Sequence, residues 1–473
     1  MHQTEVVIML KITFMGAGST VFVRNVLGDC MRTPALCRAE MALYDIDKEA
    51  AERNAKIGGH INRNPKTKSK LEYKVYDRLE DALEGATFVL LSILPGTFKE
   101  MRSDVHTPEE YGIYQSVGDT AGPGGILRAM RTVPIYEGFA KKIKAICPNA
   151  WVINFTNPMS ICMKVLYDVF PEIKAFGCCH EVFHAQELLT VMLKELKGIN
   201  VHRSKIYTDA CGINHFTWIT AAKYEDMDLM ELIPEFIDKF GEEGYFEREG
   251  EDRFKFKTDP FAYGNKVKFD LYKKFGALAA AGDRHLAEFM PNKWYLKDPE
   301  TVKEWQFNLT TVDFREENQA NQIADTIAMA EGRKEFEVAK SSEEAVELMT
   351  AILGGETIVS NVNMPNRGQM PQMPLGSIVE TNCVFTSDSV VPVMAKPLPE
   401  GACNLVYRCC VNVDMTYEGI RERNLDKIYQ AFANQPLCNT LSMKESKELF
   451  KKMCLNTREY LDDYFELDEY FDM

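Results

Sequence analysis

The chain has 473 residues, of which 45% are hydrophobic and 26% are charged, and its formal net charge is −15. This composition is that of a soluble globular protein with one large domain or two, and the negative charge argues against a nucleic acid or an anionic membrane as partner. No apolar run approaches the ~20 residues that span a bilayer, and thirteen scattered cysteines without a Cys-x-x-Cys pair indicate a reduced, cytoplasmic protein.

A glycine turn follows the first predicted strand, Lys11–Met15. The turn contains Gly16, Gly18, Ser19 and Thr20 and leads into a helical pattern. Strand, glycine turn and helix in this order are the context of a dinucleotide-binding site, because glycine lets the backbone approach a pyrophosphate and the first amides of the helix face its charge. The sequence therefore predicts that these four residues contact a dinucleotide.

The second predicted strand, residues 39–44, ends at Asp45. A carboxylate at this position accepts a hydrogen bond from a ribose 2′-hydroxyl and repels a 2′-phosphate, so NAD is favoured over NADP. A glycine turn alone is often an ordinary loop, and it is the acidic strand end that favours a cofactor.

Strands and helices alternate up to about residue 180. Strands are predicted at 71–76, 87–93 and 151–154, and helices at 135–146 and 159–169. This alternation predicts an α/β fold in which a Rossmann-like, doubly wound parallel sheet (residues 8–185) precedes a mixed α+β domain for substrate, metal and oligomerisation (residues 186–473), as in lactate and malate dehydrogenases. Ligands of such sheets bind at the carboxyl ends of the strands, where the sequence has Ser92, Asn154 and Asn157.

Two short stretches combine thiols and imidazoles. The first contains Cys178, Cys179 and His180, and the second, residues 212–218, contains His215. Thiolate and imidazole suit a divalent transition metal, whereas a free cysteine is more often a small buried hydrophobe. The pair by itself leaves both interpretations open.

The second half of the chain is less regular. Residues 225–251 are charged with a helical pattern, 315–338 predict one long helix, 359–384 predict short strands and turns, and helices return over 416–465. A dense polar cluster, Gly-Asp-Arg-His, lies at 282–285.

Five motifs, in this order, resemble the NAD-dependent glycoside hydrolases of family 4. They are Gly-Ala-Gly-Ser-Thr at 16–20, Asn-Phe-Thr-Asn-Pro at 154–158, Cys-His-Glu-Val at 179–182, Gly-Ile-Asn-His at 212–215 and Gly-Asp-Arg-His at 282–285. The resemblance covers most of the chain, from about residue 11 to the 420s. It implies an NAD cofactor and a divalent metal, usually Mn²⁺, held by Cys179 and His215.

The resemblance also implies a redox mechanism that departs from the two-carboxylate scheme of most glycosidases. In the family, NAD takes hydride from carbon 3 of the sugar and a base removes the proton on carbon 2, while the metal stabilises the developing charge. The glycosidic oxygen then leaves, water adds and the hydride returns.

Catalytic roles follow from the same resemblance. His180 stands where members that attack α-linked phospho-sugars carry an acidic aspartate, so it is expected either to protonate the leaving group or to hydrogen-bond the substrate. Asp283 is the first candidate for the base and Tyr272 the second, and each could instead be a packed structural residue. Arg284 and His285 are expected to orient sugar or metal-bound water.

The predicted substrate is an α-galacturonide, cleaved in an exo-acting manner. Phospho-sugar members carry an arginine beyond the fourth strand, where this chain has Leu-Pro-Gly at 94–96, and the Cys-His-Glu-Val motif resembles the galacturonide subgroup. Glu181 beside a uronate needs a compensating arginine, for which Arg128, Arg131 and Arg284 are candidates. The predicted substrate-binding residues are Asn157, Glu181, Arg131, Arg284 and His285.

Three alternatives remain at this stage. One is an α-galactosidase or α-glucosidase of the same family, the second is a 2-hydroxy-acid dehydrogenase, and the third is a non-catalytic NAD-binding regulator. The resemblance also implies a homodimer or homotetramer.

Overall fold

A computed structural model gives the fold and describes residues 10–248, 250–337, 340–341 and 343–471. Within these residues, thirteen strands form one sheet. The strands are β1 Lys11–Met15, β2 Glu40–Tyr44, β3 Glu72–Val75, β4 Phe88–Leu91, β5 Trp151–Asn154, β6 Lys174–Gly177, β7 Tyr207–Ile213, β8 Phe216–Tyr224, β9 Met227–Asp228, β10 Leu278–Ala279, β11 Ile358–Pro365, β12 Ile378–Thr386 and β13 Ser389–Pro392.

Helices pack on both faces of this sheet. They are α1 Phe22–Cys30, α2 Lys48–Ile61, α3 Leu79–Leu83, α4 Phe98–His106, α5 Gly122–Ile146, α6 Met159–Val169, α7 Glu181–Lys197, α8 Ile233–Phe240, α9 Lys266–Phe275, α10 Asp283–Glu288, α11 Asn292–Tyr295, α12 Pro299–Glu304, α13 Val312–Ala330, α14 Ala345–Ile352, α15 Glu400–Arg421, α16 Leu425–Ala433, α17 Met443–Asn456 and α18 Leu467–Tyr470.

The first six strands form the parallel part of the sheet, in the order β3-β2-β1-β4-β5-β6. This is the doubly wound dinucleotide-binding order, so the predicted fold class is confirmed. Strands β1, β4 and β5 are buried along their whole length, as expected for parallel strands covered on both faces. One face packs against α5, α6 and α15, and the other packs against α1, α2 and α14.

The sheet continues into the second half of the chain without a break. Strand β11 pairs antiparallel with β6 and with β12, and β12 pairs in turn with β7. The predicted α+β second half is therefore present as an antiparallel extension of the same sheet. The predicted domain boundary at 185–186 falls inside α7.

Several predicted helices have different bounds in the structure. Helix α5 begins at Gly122, well before the predicted start at residue 135, because it continues through Pro134 and a glycine-rich first turn that both weigh against a helix in sequence. Helix α13 ends at Ala330, ahead of a left-handed Gly332, whereas residue 338, where the predicted helix ended, lies outside the described residues. In the charged segment 225–251, the described α-helix is α8 alone.

Among the described residues, no helix combines the length and the apolar character that crossing a membrane requires.

Candidate active site

The glycine turn after β1 is fixed by a close backbone contact. Gly16 has φ +91°, and a Cβ placed on it would lie 1.8 Å from the carbonyl oxygen of Ser92, at the end of β4. The amides of Gly16 and Ala17 both donate to the carbonyl of Tyr44, at the end of β2. The turn therefore lies over the carboxyl ends of β2 and β4, the strands on either side of β1, in a space that any side chain at position 16 would fill.

Asp45 faces the same turn. Its Oδ2 accepts a hydrogen bond from the amide of Gly18 at 2.7 Å, and its Oδ1 accepts one from the amide of Asp47 at 2.8 Å. Ser19 Oγ accepts from the amide of Phe22, the first residue of α1, at 3.1 Å, and Thr20 Oγ1 donates to Gln322 at 2.8 Å. Each Asp45 oxygen keeps lone-pair capacity for a ribose hydroxyl.

The turn after β5 connects the cofactor edge to the thiol–imidazole pair. The side-chain nitrogen Nδ2 of Asn157 lies 3.1 Å from His215 Nε2, and the backbone carbonyl of Asn157 accepts from Arg128 Nε at 3.1 Å. Asn157 Oδ1 is buried and has no hydrogen-bond partner among the described residues. A buried, unsatisfied amide oxygen beside an imidazole marks a place where a ligand can supply the missing partner.

Cys179 and His215 meet although 35 residues separate them in the chain. Cys179 follows β6, His215 lies in the turn between β7 and β8, and both are buried. The distance from Cys179 Sγ to His215 Nδ1 is 3.3 Å. Burial is the main reason that the pKa of His215 is lowered, to about 3, so its imidazole is neutral and offers a lone pair to a metal.

Glu181 lies at the centre of a group of imidazoles. Its Oε1 is 3.8 Å from His180 Nε2 and 3.7 Å from His285 Nε2, and its Oε2 is 3.9 Å from His184 Nδ1. Burial would raise the pKa of Glu181, but the three imidazoles hold it well below its usual range. Oε2 also accepts from the amide of Gly282 at 2.7 Å, at the start of α10. Glu181 is therefore an ionised brace between the segment that carries Cys179 and the helix that carries His285.

His180 has a second acidic neighbour, Glu343. The distance from His180 Nδ1 to Glu343 Oε1 is 3.3 Å, and the carboxylate is buried. Burial would lower the pKa of His180, but its hydrogen bond and ion pair with Glu343 raise it to about 9. This imidazole is thus a cation at neutral pH and has a proton to give.

Asp119 and His285 complete the arrangement around His215. One donor atom from each of these three residues lies within 4.8 Å of the other two, and the ring centroids of His215 and His285 are 4.2 Å apart with the ring planes tilted by 30°. Burial would raise the pKa of Asp119, but its neighbours, the Arg128 guanidinium foremost, lower it to about 2. A carboxylate and two imidazoles therefore surround one small volume, and the thiol of Cys179 adjoins it through His215.

These donors fit a divalent transition metal. Thiolate sulfur and imidazole nitrogen bind such ions at about 2.0–2.3 Å, which separates two ligands on one ion by roughly 3.0–3.7 Å. The 3.3 Å between Cys179 and His215 falls in this range. The cradle over Gly16 and the carboxylate of Asp45 likewise fit the pyrophosphate and ribose of a dinucleotide.

Comparison with known proteins identifies the family. The chain matches the model of family 4 glycosyl hydrolases over residues 11–195 and the model of their C-terminal domain over residues 210–438. The chain belongs to glycosyl hydrolase family 4. This assignment confirms the family predicted from the five motifs and sets aside the dehydrogenase alternative.

Individual relatives match this chain over most of its length. An α-galacturonidase from Thermoanaerobacter italicus is 48% identical over 96% of this chain and 97% of its own. A Bacillus subtilis protein described as a candidate glucosidase has a crystal structure with a TM-score of 0.89 and 42% identity, over 94% of this chain and 99% of its own. A 6-phospho-β-glucosidase from Thermotoga maritima, solved with manganese, NAD⁺ and glucose-6-phosphate, shares the fold with a TM-score of 0.74 and 20% identity, over 95% and 99% of the two chains.

Two predicted site residues of this glycosidase make buried contacts within the protein. Asn154 is fully buried, accepts from the Tyr136 hydroxyl at 2.6 Å and donates to the carbonyl of Thr156 at 3.0 Å. These contacts hold the turn after β5 in place, and the assignment of Asn154 as a cofactor ligand stays a prediction. Arg131 forms a buried ion pair with Asp104, and its role in substrate binding likewise stays a prediction.

The two candidates for the base also have structural partners. Asp283 is fully buried and accepts from the amides of Val267 and Lys268, which begin α9, at 3.3 and 3.0 Å, and burial raises its pKa to about 7. Tyr272 donates to the carbonyl of Met230 at 3.3 Å and packs against a separate hydrophobic cluster. The base therefore stays a prediction for both residues.

Tyr263 is a tyrosine that the sequence analysis did not single out. Its hydroxyl donates to Glu247 at 2.7 Å and lies 3.3 Å from His184 Nδ1, in the imidazole group. Its ring lies beneath Gly282, where a Cβ would come within 2.4 Å of it. No motif marks Tyr263, which precedes the polar cluster at 282–285 by one helix, α9, and one short strand, β10.

The sequence analysis also missed Asp119, His184 and Glu343. His184 could have been found, because it follows Glu181 by three residues and therefore lies on the same face of α7. Asp119 and Glu343 lie in loops without periodicity, so only the fold brings them to the site.

Proposed function

We propose that this chain is an exo-acting α-galacturonidase that uses NAD and a divalent metal, with Mn²⁺ as the first choice. The observation that carries the proposal is the 3.3 Å distance between Cys179 and His215 at the same sheet edge as the Gly16 turn. A dinucleotide and a metal ion can therefore bind side by side. The name of the 48% identical relative supports the substrate, and the ligands of the Thermotoga maritima structure support the cofactors.

In this proposal the cofactor is held mainly by backbone. Gly16 and Gly18 admit the pyrophosphate, Ser19 keeps the first turn of α1 in place, and Asp45 accepts from the ribose. The two glycines contribute by leaving room for the cofactor, because a side chain at position 16 would collide with Ser92 and one at position 18 with Asp45.

The metal is held in this proposal by Cys179 and His215. When bound, NAD supplies a hydride acceptor and the metal supplies a Lewis acid for adjacent sugar hydroxyls. For Nδ1 of His215 to bind the metal, Nε2 must carry the ring proton. The Asn157 side chain supplies the acceptor for that proton when its amide is turned so that Oδ1, which otherwise has no partner among the described residues, faces Nε2.

His180 is the residue that gives a proton to the leaving oxygen. Its imidazolium is stabilised by Glu343 at 3.3 Å, and 35% of its side chain is exposed, which leaves the other nitrogen within reach of substrate. A histidine that stays charged at neutral pH suits a leaving group that departs as an alkoxide.

Arg128 is the cation that meets the carboxylate of the uronate. Its Nε donates to the Asn157 carbonyl, and among the described residues neither terminal nitrogen has a hydrogen-bond partner. By contrast, Arg284 donates to Thr310 at 2.7 Å, so Arg128 presents the freer edge. Two parallel N–H groups match a carboxylate geometrically.

The test is hydrolysis of para-nitrophenyl α-D-galacturonide beside the matching galactoside and glucoside, with NAD, Mn²⁺ and a reductant. We expect cleavage of the galacturonide alone, lost when NAD or metal is omitted. Cleavage of a neutral glycoside instead would retain the family chemistry and reject the uronate. Arg128→Gln should raise KM for the galacturonide about 10- to 100-fold, the cost of a charged hydrogen bond, whereas Arg102→Gln on exposed α4 should not change it.

We also propose that the enzyme is a cytoplasmic homodimer or homotetramer. All thirteen cysteines are free thiols, which suits a reducing compartment. Tyr407 and Val411 lie one turn apart on α15 with 46% and 38% of their surface exposed, and such apolar exposure is typical of subunit contacts. Light scattering after gel filtration measures the mass, and a monomer would contradict this proposal.

A further inference from the structure

Two phenylalanines lie in contact at the surface beside the active site. Phe261 lies in the loop before α9 and has 45% of its surface exposed, and Phe314 lies in the first turn of α13 and is half-buried. Their ring centroids are 5.5 Å apart, with the ring planes tilted by 58°. Single exposed apolar residues are normal on a protein surface, but two aromatic rings in contact there call for an explanation. We refer to Phe261 and Phe314 as the aromatic rim.

A turn holds Phe261 at the edge of the site. Asp259 Oδ1 accepts from the amide of Phe261 at 2.9 Å, and the Asp259 carbonyl accepts from the amide of Ala262 at 3.1 Å. Two residues further on, Tyr263 is buried and its hydroxyl lies 3.3 Å from His184 Nδ1. The same short segment therefore carries one ring inside the imidazole group and one ring on the solvent side of it.

Arg284 connects Phe261 to the loop that carries Asp119. Its guanidinium carbon lies 5.2 Å from the centre of the Phe261 ring. Its Nη2 donates to Thr310 Oγ1 at 2.7 Å and lies 3.5 Å from the carbonyl oxygen of Ser116. Asp119 follows Ser116 by three residues, which span at most ~11 Å. Phe261 is therefore close to the residues around His215 without being one of them.

Phe314 adjoins the same loop through the next residue of α13. Arg315 donates from Nη2 to the carbonyl of Val117 at 2.7 Å and from Nε to the carbonyl of Thr310 at 3.0 Å. Arg284 and Arg315 thus contact the loop before Asp119, and each lies beside one ring of the aromatic rim. The two rings form one continuous edge of the site.

The rim also has a donor without an acceptor. Arg284 Nε is buried and has no hydrogen-bond partner among the described residues. Buried donors are normally paired, so this N–H indicates an acceptor that arrives with a ligand. A pyranose supplies what both groups need, because its hydroxyl and ring oxygens accept hydrogen bonds and its C–H face packs on the electron-rich face of an aromatic ring.

Exposure determines which sugar the rim can contact. The galacturonate that is cleaved must reach the buried Cys179–His215 pair, whereas the rim is open to solvent. In an exo-acting enzyme, the part of the substrate that extends toward solvent is the leaving group.

We propose that Phe261 and Phe314, together with Arg284 Nε, bind the pyranose that departs as the leaving group. The enzyme then favours disaccharides over glycosides with a small leaving group. This inference rests on the proposed function and adds its leaving-group specificity.

Two substrates with the same cleaved sugar test the rim. We compare kcat/KM for an α-linked digalacturonide with kcat/KM for methyl α-D-galacturonide, whose leaving group is too small to reach the rim. The wild type should prefer the digalacturonide. Phe261→Ala should lower the ratio of the two constants about 5- to 20-fold, the effect of losing one aromatic contact, and Phe314→Ala should lower it less. Phe261→Tyr keeps the ring, and its ratio should stay within about 2-fold of wild type.

Tyr207→Ala is the matched control. Tyr207 has 50% of its surface exposed and begins β7, about 20 Å along the strand from the turn that carries His215, so the ratio should not change. A wild-type ratio in Phe261→Ala, with either no loss or an equal loss on both substrates, would overturn the inference. Circular dichroism identifies a misfolded variant, for which Phe261→Leu serves as the replacement.

Failure of the proposed function gives a different result. A wild-type chain that cleaves melibiose and methyl α-D-galactoside but no galacturonide would reject the uronate, and the ratio on this neutral pair then tests the rim in the same way. A chain that cleaves none of the four would reject the proposed function as a whole. Calorimetric affinities of wild type and Phe261→Ala for the digalacturonide and the methyl galacturonide then provide the ratio, and equal ratios in the two proteins would overturn the inference.

Discussion

The cofactor edge and the metal cluster are built in opposite ways. The cofactor edge consists of residues near one another in the chain, Gly16, Gly18 and Asp45, and it works through backbone amides and empty space. The cluster proposed for the metal consists of Asp119, Cys179, His180, Glu181, His184, His215, His285 and Glu343. These side chains come from five separate segments, and the cluster works through buried charge. A site made of backbone tolerates changes in the surrounding side chains, whereas a site made of convergent side chains depends on the whole fold.

The two regions also differ in how they treat charge. At the cofactor edge Asp45 is half-buried and satisfied by two amides. In the cluster, the carboxylates of Glu181 and Asp119 are surrounded by imidazoles and arginine, which keep them ionised despite burial. Removing one partner in the cluster leaves an uncompensated charge. We therefore expect substitutions there to change stability and activity more, and less additively, than substitutions at the cofactor edge.

The largest effect should come from the pair that defines the cluster. Cys179→Ser replaces a soft thiolate by a hydroxyl that does not ionise, so turnover should fall at least ~1,000-fold and metal affinity should fall with it. Steady-state kinetics and metal titration measure the two. The neighbouring Cys178→Ser is the control, because Cys178 packs against the hydrophobic cluster on the other sheet face, and equal losses in both variants would show that the thiol position is not specific.

Substitutions at the cofactor edge should act by displacing the backbone. Gly16→Ala adds a Cβ 1.8 Å from the Ser92 carbonyl at a positive φ, so it should lower the free energy of unfolding by about 2–6 kcal/mol, the sum of backbone strain and overpacking. NAD affinity should fall with it. Gly59→Ala in α2 meets nothing within 4 Å and should raise stability by up to about 1 kcal/mol. Chemical unfolding and fluorescence titration measure both variants, and unchanged NAD binding in Gly16→Ala would refute the close contact.

The same contrast explains what the sequence could predict. Strand–turn–helix order and the acidic end of β2 are local signals, so the fold class and the residues at the glycine turn followed from the sequence directly. Cys179 and His215 needed family motifs, because nothing in their spacing states that β6 and the β7–β8 turn meet across a sheet extended by β11 and β12. Asp119 and Glu343 belong to no motif and no periodic pattern. The first half of α5 was not predicted, because its glycines and Pro134 weigh against a helix.

Two tyrosine substitutions distinguish a residue of the imidazole group, Tyr263, from a residue that packs elsewhere, Tyr272. Tyr263→Phe removes a buried hydroxyl that joins Glu247 to the imidazole group, and leaving these polar atoms unpaired should lower kcat about 10- to 100-fold. Tyr272→Phe removes a hydroxyl that meets only the Met230 carbonyl among the described residues, and kcat should change less than about 3-fold. The opposite ranking would return Tyr272 to the role predicted from the sequence.

The smallest effect should appear only as a pH dependence. Glu343 helps to raise the pKa of His180 to about 9, so the protonated imidazole, and the stability that its ion pair contributes, are fully present below the ordinary pKa of 6.5 and lost as pH rises through about 9. Glu343→Gln should move the alkaline limb of kcat/KM to lower pH, with little change near pH 6 and a several-fold loss near pH 8. Glu344→Gln is the control, because Glu344 binds Arg203 and Ser360 at 2.9 and 2.7 Å in the same segment. An alkaline limb that does not move in Glu343→Gln would mean that the group titrating there is not His180, and the acid would then have to be sought among the other members of the imidazole group.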